Sequence, residues 1–344
     1  VMDGMIDIIN YVPAPVTLPL EPAKINALLG TDIPEADMIE YLRREEVPVV
    51  DGQIQVPSWR PDLRCMADIA EEVARYYGYN KIKTTLMRGT TTRGGYSETA
   101  MLENQAGAAA RSLGYSEIIT YSFVSPASFD AVRIPKDSPL RKALKLVNPL
   151  GEDTSIMRTI ILPSMLDILA RNYAMKNKGV KLYELGRVYL PVDGQDLPEE
   201  PRHLIFGTYG EHENFFTMKG EIDALLALLN VKPAEYVANR ENPSYHPGRC
   251  ADILIDGKRA GTIGQIHPLV AEIYGIGGEV YVADLDFTTI EASLAEERVF
   301  HSLPRFPAVT RDLALVCDET LTVGELERCI SAAAGKLLRK INLF

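Results

Sequence analysis

The sequence predicts an α+β protein of two or three domains, and three observations predict it. Stretches with helical and with strand periodicity alternate over 344 residues, with no internal repeat. The pairs Asp51-Gly52 and Asp256-Gly257 each separate two β-forming runs, as tight hairpins do. Residues 84–95 carry three glycines and almost no apolar periodicity, which marks a domain boundary.

In chain order, residues 1–15 are punctuated by proline and are expected to form an extended linker. Residues 16–20 read as a strand, and residues 21–30 as a short helix with Pro22 at its start and Gly30 after it. Residues 32–44 read as a second helix, with Met38, Tyr41 and Leu42 inward. Two strands at 45–50 and 52–57 follow, and then a third helix. Three helices and a hairpin in so short a span predict a small winged-helix-like α+β domain over residues 16–87.

Residues 88–297 are read as a second domain. It opens on an alanine-rich helix at 100–113 that suits close packing. Strands are expected at 117–123, 144–147, 180–190, 202–209, 251–255, 259–266 and 279–286. Helices are expected at 163–176, 217–229 and 267–274. A third, partial domain over 298–344 is expected to hold a strand at 312–317 and a helix at 322–334.

The third helix of the small domain is the most informative stretch. Pro61 suits its first turn and Asp62 its capping; Gly78 suits the position past its end. Met66, Ile69, Ala70, Val73 and Tyr77 recur at helical spacing on one side. Asp68, Glu71 and Glu72 stand at i, i+3 and i+4, with Asp62 nearby. Carboxylates held this close repel one another and need water, a basic partner or a divalent cation. A solvated acidic face is the ordinary reading of such a pattern. Trp59, the only tryptophan, is read as a core or interface anchor.

The net charge is −11, a poor general surface for nucleic acid. Residues 301–344 carry six Lys/Arg against five acids, a balance of +1 that leaves −12 on the remainder. Lys336, Arg339 and Lys340 form the one acid-free basic stretch at that end. Cys65, Cys250, Cys317 and Cys329 make no C-x-x-C pair, which argues against structural zinc and for reduced thiols in a cytosolic protein. No apolar run approaches the roughly eighteen residues of a membrane helix. The first residue is Val1 and the last residues, 340–344, rise in apolarity, so both ends are read as cuts in a longer chain. G-x-S-x-G and P-loop motifs are missing. His246 and His267, each before a proline, lack a second ligand at metal spacing and are read as structural.

Four stretches carry a resemblance. Pro57-Ser58-Trp59-Arg60-Pro61-Asp62, with Glu71-Glu72-Val73-Ala74-Arg75-Tyr76-Tyr77-Gly78-Tyr79, resembles the signature of the winged-helix-like B5-type domain in the beta subunit of bacterial phenylalanyl-tRNA synthetase. Ser155-Ile156-Met157-Arg158-Thr159, Leu162-Pro163-Ser164-Met165-Leu166 and Lys181-Leu182-Tyr183-Glu184-Leu185-Gly186-Arg187 are similar to that subunit's catalytic-like module. So are Tyr245-His246-Pro247-Gly248-Arg249-Cys250-Ala251 and Gly264-Gln265-Ile266-His267-Pro268. Phe306-Pro307-Ala308-Val309-Thr310-Arg311-Asp312-Leu313-Ala314 is similar to the start of its ferredoxin-like anticodon-binding domain.

The resemblance implies a class II synthetase-like antiparallel sheet module that has lost its chemistry. It also implies a partial ferredoxin-like domain, an alpha subunit as partner in an α2β2 tetramer, and tRNA(Phe) as substrate. ATP is used by the whole enzyme, and Mg²⁺ is held at the junction with alpha by Asp62, Asp68, Glu71 and Glu72. No catalytic residue is expected on this chain. The residues agree independently: Gly277-Gly278 leads into Glu279-Val280-Tyr281-Val282-Ala283-Asp284-Leu285-Asp286, without the arginine a class II ATP site needs. Arg158, Arg187 and Arg249 are then expected as buried ion-pair partners, and Lys336, Arg339 and Lys340 as candidate tRNA contacts. Two rival readings are a stand-alone nucleic-acid-binding winged-helix protein and a Mg²⁺-dependent hydrolase built on the carboxylates.

Overall fold

The computed structural model describes residues 3–12, 14–296, 299–300, 302–303 and 305–344. The expected boundary at 297–298 and the first residue, Val1, lie outside these residues. The chain forms two units, dividing after Gly94.

The first unit runs β1 (Val16–Pro19), α1 (Pro22–Leu29), α2 (Glu35–Arg44), β2 (Val49–Val50), β3 (Gln53–Val56) and α3 (Met66–Tyr77). Its antiparallel sheet has the order β1-β3-β2. The β2–β3 turn is Asp51-Gly52, both residues at positive φ, as the dipeptide dictates. Ile25, Met38, Leu42, Val47, Ile54, Leu63, Ile69 and Val73 make one core. The helical spacing of Ile69, Ala70 and Val73 therefore turns one side of α3 into that core and leaves its acidic side outward.

The second unit runs α4 (Glu98–Ser112), β4 (Ser116–Glu117), β5 (Phe123–Val124), α5 (Ser128–Ala131), β6 (Ile156–Met157), α6 (Leu162–Ala174), β7 (Val180–Arg187), β8 (Arg202–Tyr209), α7 (Phe215–Leu228) and β9 (Ala234–Ala238). It continues with β10 (Tyr245–Ile255), β11 (Lys258–Ile266), α8 (Pro268–Ile273), β12 (Tyr281–Asp286), α9 (Phe287–Ala292) and α10 (Val323–Ala334). Seven strands form one sheet in the order β4-β7-β8-β12-β11-β10-β9. Every pair is antiparallel except β4–β7, so the sheet is mixed. Alternation along the strands feeds two cores. One packs under α4, α7 and α9, around Ala106, Tyr183, Phe206, Met218, Ile222 and Ile263. The other lies under α6 and α8, around Met165, Leu169, Ile205, Val270 and Val282. Gly207 lets α6 approach the sheet: a Cβ there would fall 2.7 Å from Met165 Sδ.

The structure corrects several expectations. The helix after Trp59 begins at Met66, not at Pro61, because Asp68 accepts from the Arg64 and Cys65 amides and so sets the start five residues later. The run 117–123 keeps only short strand pieces at its ends. The Thr120 hydroxyl donates to the Glu184 carboxylate, which draws the segment out of the ladder. The run 144–147 contributes a single bridge, Lys145 to Ile156. Residues 312–317 form no strand, since no strand lies alongside them among the described residues. That segment therefore brings no sheet to the ferredoxin-like expectation. The strand β9 and the helix α9 were not anticipated. The four cysteines are free, and no helix among the described residues is long and apolar enough to cross a membrane.

Candidate functional site on the acidic helix

The acidic side of α3 is organised by Arg60. Pro57 to Asp62 form a turn after β3, closed by the Arg60 amide donating to the Pro57 carbonyl at 3.0 Å. That turn aims the guanidinium back across α3. Its Nη2 meets Asp62 Oδ2 at 2.6 Å and Glu72 Oε1 at 2.7 Å, and its Nη1 meets Glu45 Oε2 at 2.9 Å. Arg75, one turn along α3, closes the network onto Glu72 and Glu45. Glu45 follows α2 and is only 5% exposed; Glu72 is 12% exposed. Three carboxylates thus surround two guanidiniums. The Arg60 hydrogen bond holds the Asp62 carboxyl below its usual range, and the carboxylates hold the Arg60 guanidinium above its own.

Asp68 faces a different task. Its Oδ2 accepts from the Arg64 amide at 2.7 Å and the Cys65 amide at 2.9 Å, and these bonds lower its pKa. Glu71 is exposed. The four predicted metal ligands are therefore divided: Asp62 and Glu72 on an arginine, Asp68 on backbone amides, Glu71 toward solvent. Among the described residues no group of three or more His, Cys, Asp or Glu is placed to hold a metal ion. A magnesium ion held by all four does not fit this arrangement. Of the compensations open to a carboxylate cluster, this chain supplies the basic partner. Arg60 and Glu45 were the residues sequence reasoning missed. Arg60 sits two positions before Asp62 and was a visible candidate; Glu45, a distant residue buried by the fold, was not.

Trp59 is 64% exposed, so it is no core residue of this unit. Of the three arginines expected in buried ion pairs, Arg158 alone is buried, against Glu184. Arg187 pairs with Glu200 and Arg249 with Glu279, both at the surface. His267 caps α8, its ring accepting from the Leu269 amide. Lys336, Arg339 and Lys340 lie exposed at and beyond the end of α10.

Comparison with known proteins follows the same order along the chain. Residues 18–79 match the family described as tRNA synthetase B5 domain, and residues 82–287 match phenylalanyl tRNA synthetase beta chain CLM domain. Phenylalanine–tRNA ligase beta subunits of Clostridium tetani, Clostridium acetobutylicum and Moorella thermoacetica are 40%, 38% and 36% identical to this chain over its whole length. The chain spans 44% of each of those relatives. Among solved structures, pyrrolysyl-tRNA synthetase of Desulfitobacterium hafniense matches with a TM-score of 0.47 and 14% identity, over 56% of this chain and 68% of that one.

Proposed function

Since this chain belongs to the phenylalanyl-tRNA synthetase beta-chain family, we propose that it is a non-catalytic part of a phenylalanine–tRNA ligase, serving assembly and substrate placement. The observation that carries this reading is the pair of family matches, 18–79 and 82–287, which together reach into both folded units. In this reading an alpha subunit performs the ATP-dependent attachment of phenylalanine to tRNA(Phe), in a cytoplasmic α2β2 assembly. The first unit takes the winged-helix-like role and the second the class II-like one. Residues 298–344 are taken to open the ferredoxin-like anticodon-binding domain.

Surface chemistry supports an assembly role. The segments 119–124, 144–147 and 155–158 hydrogen-bond side by side, through Phe123 to Met157, Lys145 to Ile156 and Arg158 to Ser122. Ile119, Tyr121, Val147 and Leu150 on or beside this layer are almost wholly exposed. Apolar side chains held this way suit burial against another chain. The net charge of −11 weighs against the rival reading of a stand-alone nucleic-acid binder.

Magnesium at Asp62, Asp68, Glu71 and Glu72 requires Arg60 to release two of the four, so it would belong to an assembled state with a rearranged turn. Nothing in the proposed role is routed through it.

Co-expression with the alpha subunit of the same organism tests the reading. Expected is a complex that co-elutes on size exclusion, with aminoacylation absent from the isolated chain. Phenylalanylation of tRNA by the chain alone would overturn it, and so would failure to co-elute with alpha.

A further inference from the structure

Three segments of the second unit converge beside α8. Arg133 follows α5, in a left-handed turn at φ 60°. His246 lies near the start of β10. His267 stands between β11 and α8. Two hydrogen bonds hold the segments together: Ser244 Oγ donates to the Val132 carbonyl at 2.5 Å, and the His267 amide donates to the Ser244 carbonyl at 2.9 Å. Ser244 is buried and links the residue before Arg133 to both histidine segments.

The two rings are set in the same way. The Gly248 amide donates to His246 Nδ1 at 3.1 Å, and the Leu269 amide donates to His267 Nδ1 at 3.1 Å. An amide hydrogen pointing at Nδ1 requires a lone pair there, so each neutral ring carries its proton on Nε2. Neither Nε2–H has a protein acceptor among the described residues. Arg133 Nη1 is likewise buried with no hydrogen-bond partner. A buried guanidinium donor left unpaired is costly, and native structures rarely leave one so without a reason. Burial first, then Arg133 and then His246 disfavour the charged form of His267, which keeps that ring a neutral donor.

Two neighbouring charges, Glu279 and Arg249, are already engaged. Glu279, which His246 influences, accepts from Arg249 at 2.7 Å and from the Tyr281 hydroxyl at 2.5 Å. Arg249 also donates to Gln265 at 2.7 Å. What remains is one permanent cation and two neutral N–H donors, a set that matches a singly charged oxyanion.

We propose that Arg133, His246 and His267 form a carboxylate-binding site, taking a free carboxylic acid or an acidic side chain. The site is independent of the assembly proposed above, and the comparisons assign it nothing. A carboxylate accepts from Arg133 through one oxygen and from the two imidazoles through the other. A phosphate dianion fits less well, because only one of the three donors carries charge.

Histidine-selective NMR on this chain tests it. There are five histidines, so ring signals are few, and His203 and His212 lie outside the cluster as internal references. Acetate is expected to shift the His246 and His267 signals saturably while His203 and His212 stay still, and phosphate at the same ionic strength to shift them less. R133Q is expected to weaken acetate binding by about tenfold, as loss of a charge-assisted hydrogen bond does. H246Q, which leaves the left-handed turn untouched, is expected to weaken it as seen on the His267 signal. The thermal melt of each variant shows whether it is folded. Signals that do not saturate with acetate, that respond more to phosphate, or that respond equally in folded R133Q and H246Q overturn the proposal.

Discussion

Arg158 donates from Nη2 to Glu184 Oε1 at 3.0 Å, with each side chain at most 4% exposed. Every neighbouring donor is used. Arg158 Nη1 reaches Thr120 Oγ1 at 2.7 Å and Nε reaches the Arg187 carbonyl at 2.8 Å, while the Thr120 hydroxyl donates to Glu184 Oε2 at 2.6 Å. The pair bolts the β6 end to β7. Replacing the arginine alone strands a carboxylate in the core. R158M should cost about 3–5 kcal/mol, whereas R158M/E184L should recover much of that. Urea unfolding midpoints check it; a single variant as stable as the parent would refute it.

Gly207 on β8 faces Met165 and Leu169 of α6. An added Cβ would stand 2.7 Å from Met165 Sδ and 2.9 Å from Leu169 Cδ1. G207A should therefore destabilise by about 1–3 kcal/mol through overpacking. Trimming the facing side chain makes room, so the same substitution made in M165A should cost less. A double-mutant cycle on thermal or urea unfolding measures the difference, and additive effects would exclude the contact.

These two sites show which parts of the molecule could be read from sequence. The hairpins at Asp51-Gly52 and Asp256-Gly257, the strands β7, β8, β11 and β12, and the helices α1, α6 and α7 follow from local chemistry: turn residues, period and caps. The tertiary partners do not. The run 117–123 has strand composition, yet Thr120 goes to Glu184, a residue 64 positions later, and most of the ladder is lost. Residues 312–317 are also β-forming, but a strand needs a neighbour and has none among the described residues. At the acidic helix, spacing gave the right face and the wrong start, because the Asp68 side chain terminates the helix at Cys65. The counter-charge was undecidable from spacing alone, since it depends on Glu45 and Arg60 meeting across the fold.

His203 on β8 and Asp284 on β12 should make stability depend on pH. His203 Nδ1 lies 2.8 Å from Asp284 Oδ1. Burial works against the charged ring, but Asp284, by charge and by hydrogen bond, and then Asp286 outweigh it; Arg158 opposes them. The balance raises the pKa of His203. A raised folded-state pKa stabilises the protein fully below the unfolded value, about 6.5, and that contribution fades as pH rises through the folded value. H203Q should thus lose more stability at about pH 5.5 than at about pH 8. Unfolding free energies for parent and variant at the two pH values check the sign. An equal loss at both would show that the pair does not titrate as the geometry requires.

Arg60 occupies the place a cation would have to take on α3. Its guanidinium already neutralises Asp62 and Glu72, and Asp68 is committed to the Arg64 and Cys65 amides. Mg²⁺ holds its own waters tightly and gains little from carboxylates that another charge has claimed. The chain by itself should therefore show no saturable Mg²⁺ binding at about 1 mM. R60Q should behave differently on two counts. It leaves Glu45, 5% exposed, and Glu72 leaning on Arg75 alone, so it should unfold at lower temperature than the parent. It also frees two carboxylates beside Glu71, so added Mg²⁺ should raise its melting temperature more than that of the parent, as any ligand selective for the folded state does. Thermal melts of both proteins with and without magnesium separate the effects. An equal magnesium-dependent rise in both would mean that Arg60 does not compete for the site, because removal of a competitor must strengthen what it competes with.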